Sequence, residues 1–310
     1  MSAATGTAPA PRARAAERAQ GWALRAPLLP ALVFTVVVTQ LPFLVTVFYS
    51  LQSWNLLRPG SRTFVGPANY LAVFTDAQFL GAASNTVLFT AACVLVSMAL
   101  GVGLAMLLDR RFPGRGVVRT LLITPFLIIP VATALLWKTT MFDPVFGLVG
   151  FVLTPFGLGD VDWVSQYPLV SVVTAMVWQW TPFMMLLVLA GLQSQGRDVI
   201  EAGQVDGASR WQMFVGITLP HLRRYIELGV LLGSIYVVNT FDTIYMMTQG
   251  GPGTASANLP FYIYQRTFLG FDIGQSAAMG VVVVVGTIIV ATLALRLIFR
   301  SFMSAQEGIS

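Results

Sequence analysis

Few side chains in this sequence can do bond-making chemistry. There is one histidine, His221, and one lysine, Lys138, and one cysteine, Cys93. A single His cannot build a His-based metal cluster, and with no paired acidic site it offers no catalytic constellation. A lone Cys inside an apolar run forms no intrachain disulfide and reads as a small core hydrophobe. Lys138 stands in Leu-Leu-Trp-Lys-Thr-Thr with no preceding glycines, so the Gly-x-x-x-x-Gly-Lys loop that cradles nucleotide phosphates is absent. The chain is therefore expected to have no catalytic residues, no metal and no cofactor, and no ATP site of its own.

The polar residues within apolar runs suggest binding instead. Asn239, Asp242, Tyr245 and Met246 fall at i, i+3, i+6 and i+7 and would share one face of a continuous helix. Carboxylate, amide and ring together suit a polyhydroxy ligand, whose hydroxyls donate to the carboxylate while its C–H faces stack. An internal helix–helix hydrogen bond is the other reading. Gln179 and Trp180 stand before Pro182, which should kink their helix, and Gln179 needs a partner or a wet cavity. A second substrate contact and a packed kink are both open there. Lys138 is expected to snorkel to the outer interface. Glu227 should pair with Arg223 one turn before it. Gly101 and Gly103 should permit close helix packing.

These residues are carried by a chain of 310 residues, 56% hydrophobic and only 10% charged. Soluble domains carry about 25% charged residues. Six segments are long enough to cross a hydrocarbon core ~30 Å thick: Leu28–Ser50, Ser84–Leu108, Val118–Met141, Pro168–Leu192, Leu222–Met247 and Ala277–Phe302. The first is too long for a signal-peptide core and has no clear cleavage site, so it reads as an uncleaved helix. Residues 1–27 form a tail of low hydrophobic content, expected to be disordered, and 303–310 a second tail.

The net charge of +5 does not suggest nucleic acid, because the basic residues sit in the gaps between apolar runs. On one side lie 14 arginines: Arg12, Arg14, Arg18, Arg25, Arg110, Arg111, Arg115, Arg119, Arg197, Arg210, Arg223, Arg224, Arg296 and Arg300. The other side has three, Arg58, Arg62 and Arg266. The excess of Arg and Lys near span ends puts both termini in the cytoplasm of a multi-pass plasma-membrane protein. The outer segments carry Trp54, Tyr70, Phe74, Trp163 and Tyr167, in keeping with an interfacial aromatic belt facing lipid headgroups.

The loop 193–221 then lies inside. Arg197 leads into a short helix through Glu201, Ala202 and Val205. Asp206-Gly207 breaks it, Ser209 is a good N-cap, and Arg210 to Val215 forms a second helix that Pro220 ends. Trp211, Phe214 and Val215 make its apolar face. That face could pack on the membrane domain or insert into a partner's groove.

The loop resembles the EAA motif of ABC importer permeases: Glu201, Ala202, Gly207, Ile217, Leu219 and Pro220 match it in spacing, with Gly203 in place of the usual third Ala. Trp180-Thr181-Pro182-Phe183 and Thr248-Gln249-Gly250-Gly251-Pro252 are similar to the maltose-type carbohydrate permeases. Asn258-Leu259-Pro260 and Phe271-Asp272-Ile273-Gly274 are most similar to polyol permeases. The resemblance implies an all-α integral membrane fold of the type I importer with six spans and a coupling helix. It also implies a second, homologous permease, an ABC ATPase homodimer that binds the ATP, an extracytoplasmic solute-binding protein, and a sugar or polyol as cargo. By analogy Glu201 would meet basic groups on the ATPase, and Trp211 and Phe214 would fill its cleft. Two rivals are weighed. An ion-driven secondary transporter would show internal repeats and intramembrane acids, of which only Asp242 is present. A membrane enzyme would need a catalytic constellation.

Overall fold

The computed structural model describes residues 27–307 apart from Pro59 and Ser61. Most of the N-terminal tail expected at residues 1–27, including Arg12, Arg14, Arg18 and Arg25, and the last residues 308–310 lie outside the described residues.

The chain is built from helices. The elements are α1 (Leu28–Ser50), a two-stranded hairpin of β1 (Gln52–Ser53) and β2 (Thr63–Phe64), α2 (Ala68–Thr75), α3 (Ala77–Asp109), α4 (Arg115–Leu127) and α5 (Pro130–Leu136). They continue with α6 (Leu148–Leu153), α7 (Trp163–Gln166), α8 (Pro168–Gln193), α9 (Arg197–Val205), α10 (Arg210–Met213), α11 (Leu219–Val238), α12 (Asp242–Met247), α13 (Leu259–Tyr264) and α14 (Ile273–Glu307). The hairpin is antiparallel, with Gln52 opposite Phe64 and Ser53 opposite Thr63.

The centre is α3 packed on α8. Cys93 meets the Val173 carbonyl, and Gly101 lies against Met184 and Met185, so the two helices run parallel. A Cβ at Gly101 would sit 2.7 Å from Met184 Cβ, so only glycine allows this approach. Gly103 faces open space and contributes no such contact, contrary to expectation. α11 crosses both in the opposite direction. Its Gly229 meets Met98 and its Gly233 meets Met184 and Val94. In lipid the hydrophobic effect does not drive helices together, so such close contacts carry the association. Phe89, Cys93, Val94, Met98, Met184, Met185 and Val188 fill the core. The apolar side chains of α1 are exposed over almost its whole length, as a lipid-facing helix requires.

Three described helices, α1, α3 and α8, are long and apolar enough to cross a bilayer alone. α8 runs unbroken through Pro182. The expected third span, Val118–Met141, is not one helix: α4 and the segment from Pro130 to Met141 meet at a bend of 101°. Pro130 brings no N–H, and the pre-proline residue Ile129 is held extended at ψ 144°. The expected fifth span, Leu222–Met247, also breaks. α11 ends at Val238, and Asn239 turns its side-chain amide onto the Ile235 carbonyl at 2.7 Å. Such local bonding competes with helix continuation. The last helix outruns its expected Ala277–Phe302 bounds at both ends, so the tail expected at 303–310 begins within it.

Candidate functional site

Two places carry the polar and aromatic residues singled out above, and a third closes the opposite end of the bundle. The first is the loop joining α8 to α11. α9 ends as expected at Asp206, and Gly207 has φ 76°, the left-handed conformation that glycine enters without a Cβ penalty. The turn closes by backbone bonds, Asp206 N to Ala202 O at 3.0 Å and Ala208 N to Gly203 O at 3.0 Å. Among the described residues the Asp206 side chain makes no hydrogen bond, so the local bond expected of it is not what holds the turn. Ser209 caps α10 in a reciprocal box: Gln212 N donates to Ser209 Oγ at 3.3 Å, and Ser209 N donates to Gln212 Oε1 at 2.8 Å.

Beyond Met213 the structure departs from expectation. Pro220 does not end the element. A π-helical turn, Phe214–Thr218, runs directly into α11, with Leu219 N bonded to Phe214 O. Pro220 cannot donate to the carbonyl four residues back, and the wider turn absorbs that missing bond. The predicted helix Arg210–Val215 is thus a four-residue α-turn followed by this widened one, continuous with the span.

Gly203 is buried, and a Cβ there would stand 3.1 Å from Ile217 Cδ1. This is where α9 leans on the π turn, and it gives the glycine that replaces alanine a packing reason. Glu201, Ala202, Leu219 and Pro220 are exposed. Trp211 is 71% exposed, and its ring lies 5.8 Å from that of half-buried Phe214. The loop therefore presents a wide aromatic surface to its surroundings. Its base is tied shut by residues not foreseen. Ser194 Oγ lies 2.8 Å from Tyr225 Oη and 3.1 Å from His221 Nε2, and His221 Nε2 lies 3.1 Å from the Gly191 carbonyl. Arg223 Nε donates to Glu227 at 2.8 Å, the expected pair.

The second place is where the two broken spans meet. Gln179, 5% exposed, donates Nε2 to the Ile128 carbonyl freed by the α4–α5 bend, at 2.7 Å. Gln179 therefore sits at the bend rather than on an open face. Trp180 packs among Phe126, Phe183 and Tyr236, with ring centroids 5.6 to 5.8 Å away. The Lys138 ammonium, expected to reach the outer interface, donates to the Met246 carbonyl at 3.2 Å and links the π turn Trp137–Met141 to α12.

The face expected to combine Asn239, Asp242, Tyr245 and Met246 is divided. Asn239 lies at the end of α11 and the other three lie on α12. Asn239 and Asp242 are exposed, and Tyr245 and Met246 half-buried. Tyr245 stacks on Phe241 at 5.3 Å and meets Tyr264 edge-on at 5.5 Å. The break between the helices is held by Asn258, which caps α13 by accepting from Phe261 N and donates to the Thr240 carbonyl. Asn85 on α3 donates to the carbonyls of Thr254 and Ala257 at 3.1 Å and of Ala255 at 3.2 Å, pinning the glycine-rich loop that follows α12. Asparagine between two apolar stretches was the available signal for both residues.

At the opposite end of the bundle, Phe271-Asp272-Ile273-Gly274 closes the start of α14 onto the hairpin. Ile273 N donates to the Trp54 carbonyl at 2.9 Å, and a Cβ at Gly274 would fall 2.1 Å from the Gln52 carbonyl. Nearby, Asp76 accepts from Tyr262 Oη at 2.7 Å and from Arg266 Nη2 at 2.8 Å, across 186 and 190 residues of chain. Burial opposes ionisation of Asp76. The bonds from Tyr262, Arg266 and the N–H groups of Gln78 and Phe79 outweigh it and hold its carboxyl below the ordinary carboxylate value.

Known proteins share this architecture. The fold matches a bacterial ABC transporter involved in the import of the acidic polysaccharide alginate, with a TM-score of 0.77, 23% identity, and coverage of 92% of this chain and 97% of that one. By sequence the chain is 34% identical to the trehalose/maltose transport system permease protein MalF of Thermococcus litoralis, over 82% of this chain and 86% of that protein. It is 33% identical to the trehalose transport system permease protein SugA of Mycobacterium tuberculosis, over 87% and 85%. It is also 33% identical to the sulfoquinovosyl glycerol transport system permease protein SmoG of Agrobacterium fabrum, over 87% and 88%. Residues 99–303, which hold α8, the 193–221 loop and both broken spans, match the family profile described as the inner membrane component of binding-protein-dependent transport systems. The chain belongs to that family: it is an all-α membrane permease of the type I ABC importer fold.

Proposed function

We propose that this chain passes a sugar or a related polyhydroxy solute inward, by alternating access driven by a separate ATPase. The observation that carries the reading is the 193–221 loop: a glycine turn at Gly207 holds two short helices and leaves Trp211 exposed beside Phe214. An exposed indole beside a half-buried phenyl ring on a capped tip is the shape a groove on a partner recognises. Because the π turn is continuous with α11 and the loop's base is tied to α8, displacement of the tip moves two core helices together. That is the rigid-body route from a docked ATPase dimer to the translocation path. Glu201, exposed on α9, supplies a charge for basic groups on the ATPase.

The cargo reading draws on the relatives named for trehalose, maltose or sulfoquinovosyl glycerol transport, and on the chemistry at the break in the fifth span. Exposed Asn239 and Asp242 flank the break, and Phe241, Tyr245 and Tyr264 form a ring cluster on the helices after it, where a second permease would complete the path. Delivery by an extracytoplasmic binding protein follows from the family's description. Both termini belong in the cytoplasm on the count of arginines.

The test is uptake and ATP hydrolysis by the assembled complex reconstituted in vesicles with trehalose, maltose and sorbitol as cargo. Glu201→Lys or Trp211→Ala is expected to abolish uptake and ATPase co-purification while the chain still inserts. Normal ATPase-dependent transport in both variants defeats the docking assignment.

A further inference from the structure

At the end of the bundle opposite the 193–221 loop, the chain between the bent third span and α8 folds into a small closed unit. Asp143 opens it: its carboxylate accepts from Val145 N at 2.9 Å and Phe146 N at 3.2 Å, and its carbonyl accepts from Gly147 N at 2.9 Å. Then comes α6, and a 3-10 turn, Thr154–Phe156, closes the unit. There Gly157 N donates to the Thr154 carbonyl at 3.0 Å and Leu158 N to the Leu153 carbonyl at 3.2 Å. Gly150 lies against the returning backbone, where a Cβ would stand 2.8 Å from the Gly159 carbonyl. Phe142 is buried with its ring 5.3 Å from Trp137, and Val149 packs on the core, so the unit is fixed to the bundle.

Its other face is apolar too. Leu148, Phe151, Val152 and Phe156 recur outward at helical spacing, and Phe146, Phe151 and Phe156 are 72%, 79% and 76% exposed. A helix apolar all round belongs in a protein core or in a membrane. With six residues, α6 is roughly 9 Å long and cannot span the bilayer, so it can only lie in its surface layer. No charged residue stands between Asp143 and Asp160. Thr154 turns its hydroxyl back onto the Gly150 carbonyl at 2.9 Å. The face therefore offers a neighbour no side-chain donor or acceptor. A protein partner would meet a polar rim and about one hydrogen bond per 100–200 Å². Hydrocarbon needs none, but it requires backbone groups to be satisfied from within, as the bonds at Val145, Phe146, Gly147, Gly157 and Leu158 do. Charge resumes at Asp160 and Asp162, just before Trp163 and Tyr167, residue types that favour the membrane–water interface.

We propose that this unit is an interfacial anchor whose phenylalanine face lies in the acyl-chain boundary of the bilayer, with phospholipid as its partner. It joins the bent third span to α8, so it holds that end of both at a fixed depth. The transport reading does not enter the argument.

The test is spin-label accessibility on the full-length chain in dioleoylphosphatidylcholine nanodiscs. Phe146→Cys, Phe151→Cys and Phe156→Cys are each labelled singly. Cys93 is buried and stays in place, and the unsubstituted chain is the labelling blank. Oxygen, which partitions into lipid, is expected to relax these three labels more than a water-soluble nickel chelate does. A label at Leu32→Cys on lipid-facing α1 should behave alike, and one at Asp160→Cys should show the reverse order. Where a Phe→Cys variant fails to fold, Val145→Cys and Val152→Cys read the same surface. The proposal falls if the nickel chelate prevails at 146, 151 and 156, which puts the face in water. It also falls if both reagents are excluded there, or if oxygen access is lost once the chain is assembled with its partners, since either result means that protein covers the face. Uptake by the reconstituted complex can stand through any of these failures, so the transport reading is judged separately.

Discussion

Gln179 on α8 donates its side-chain amide to the carbonyl of Ile128, 51 residues away, at the point where the third span bends. The bend frees that half-buried carbonyl, and Gln179 supplies the missing donor. Gln179→Leu keeps the bulk and removes the donor. A loss of ~0.5–1.5 kcal/mol is expected, the net worth of one hydrogen bond. Thermal unfolding of the purified chain in detergent checks it. An unchanged midpoint would mean the bend does not need this bond.

Gly207 holds φ 76° at the turn between α9 and α10. A β-branched residue forced into that conformation costs ~1–3 kcal/mol. Gly207→Val should therefore re-aim the loop, with ATPase-coupled uptake falling steeply while expression and membrane insertion persist. Gly207→Asn should retain more coupling, since asparagine tolerates the left-handed region. Equal uptake by both variants would show that the turn's geometry is immaterial.

Two residues distant in sequence, Asn258 and Thr240, meet across the break in the fifth span. Asn258→Ala removes both this tie and the α13 N-cap. The cap alone is worth ~0.5–2 kcal/mol. Increased hydrogen exchange at residues 239–242 and at the start of α13 is the expected signature, with the α3–α8 core unaffected. Exchange confined to the core instead would refute the tie.

Asp76 gives a pH prediction. Its folded carboxyl titrates below the ordinary value of ~3.9, so its ion pair with Arg266 adds stability above that pH. The contribution fades as pH falls through the lower folded value. Asp76→Asn should be less stable than the parent at pH 7, and the difference should shrink below about pH 4. A pH-independent difference would point to packing alone.

Asp242 tests the path. Asp242→Ala should raise the KM for uptake while leaving ATPase co-purification intact. Unaltered transport kinetics would assign the residue to structure.

How much of this was legible in the sequence depends on distance along the chain. The Asp206-Gly207 break, the Ser209 cap and the Arg223–Glu227 pair are decided within a few residues, and the structure carries all three. Pro130 was visible, but a proline's effect is set by what can satisfy the backbone it frees. At Pro182 the helix runs on unbroken; at Pro130 it bends by 101°.

Composition and run length determined that this is a helical membrane protein, because apolar length and local turn chemistry need no partner to be read; that it is a permease came from the resemblance of the 193–221 loop to the EAA motif. Tertiary structure decided where the polar residues point. Gln179 is turned to the Ile128 carbonyl and Lys138 to Met246, while Asn239 is parted from Asp242. The reason is physical: in a low-dielectric interior each unpaired backbone group must find the nearest donor or acceptor, and that neighbour is set by packing rather than by spacing.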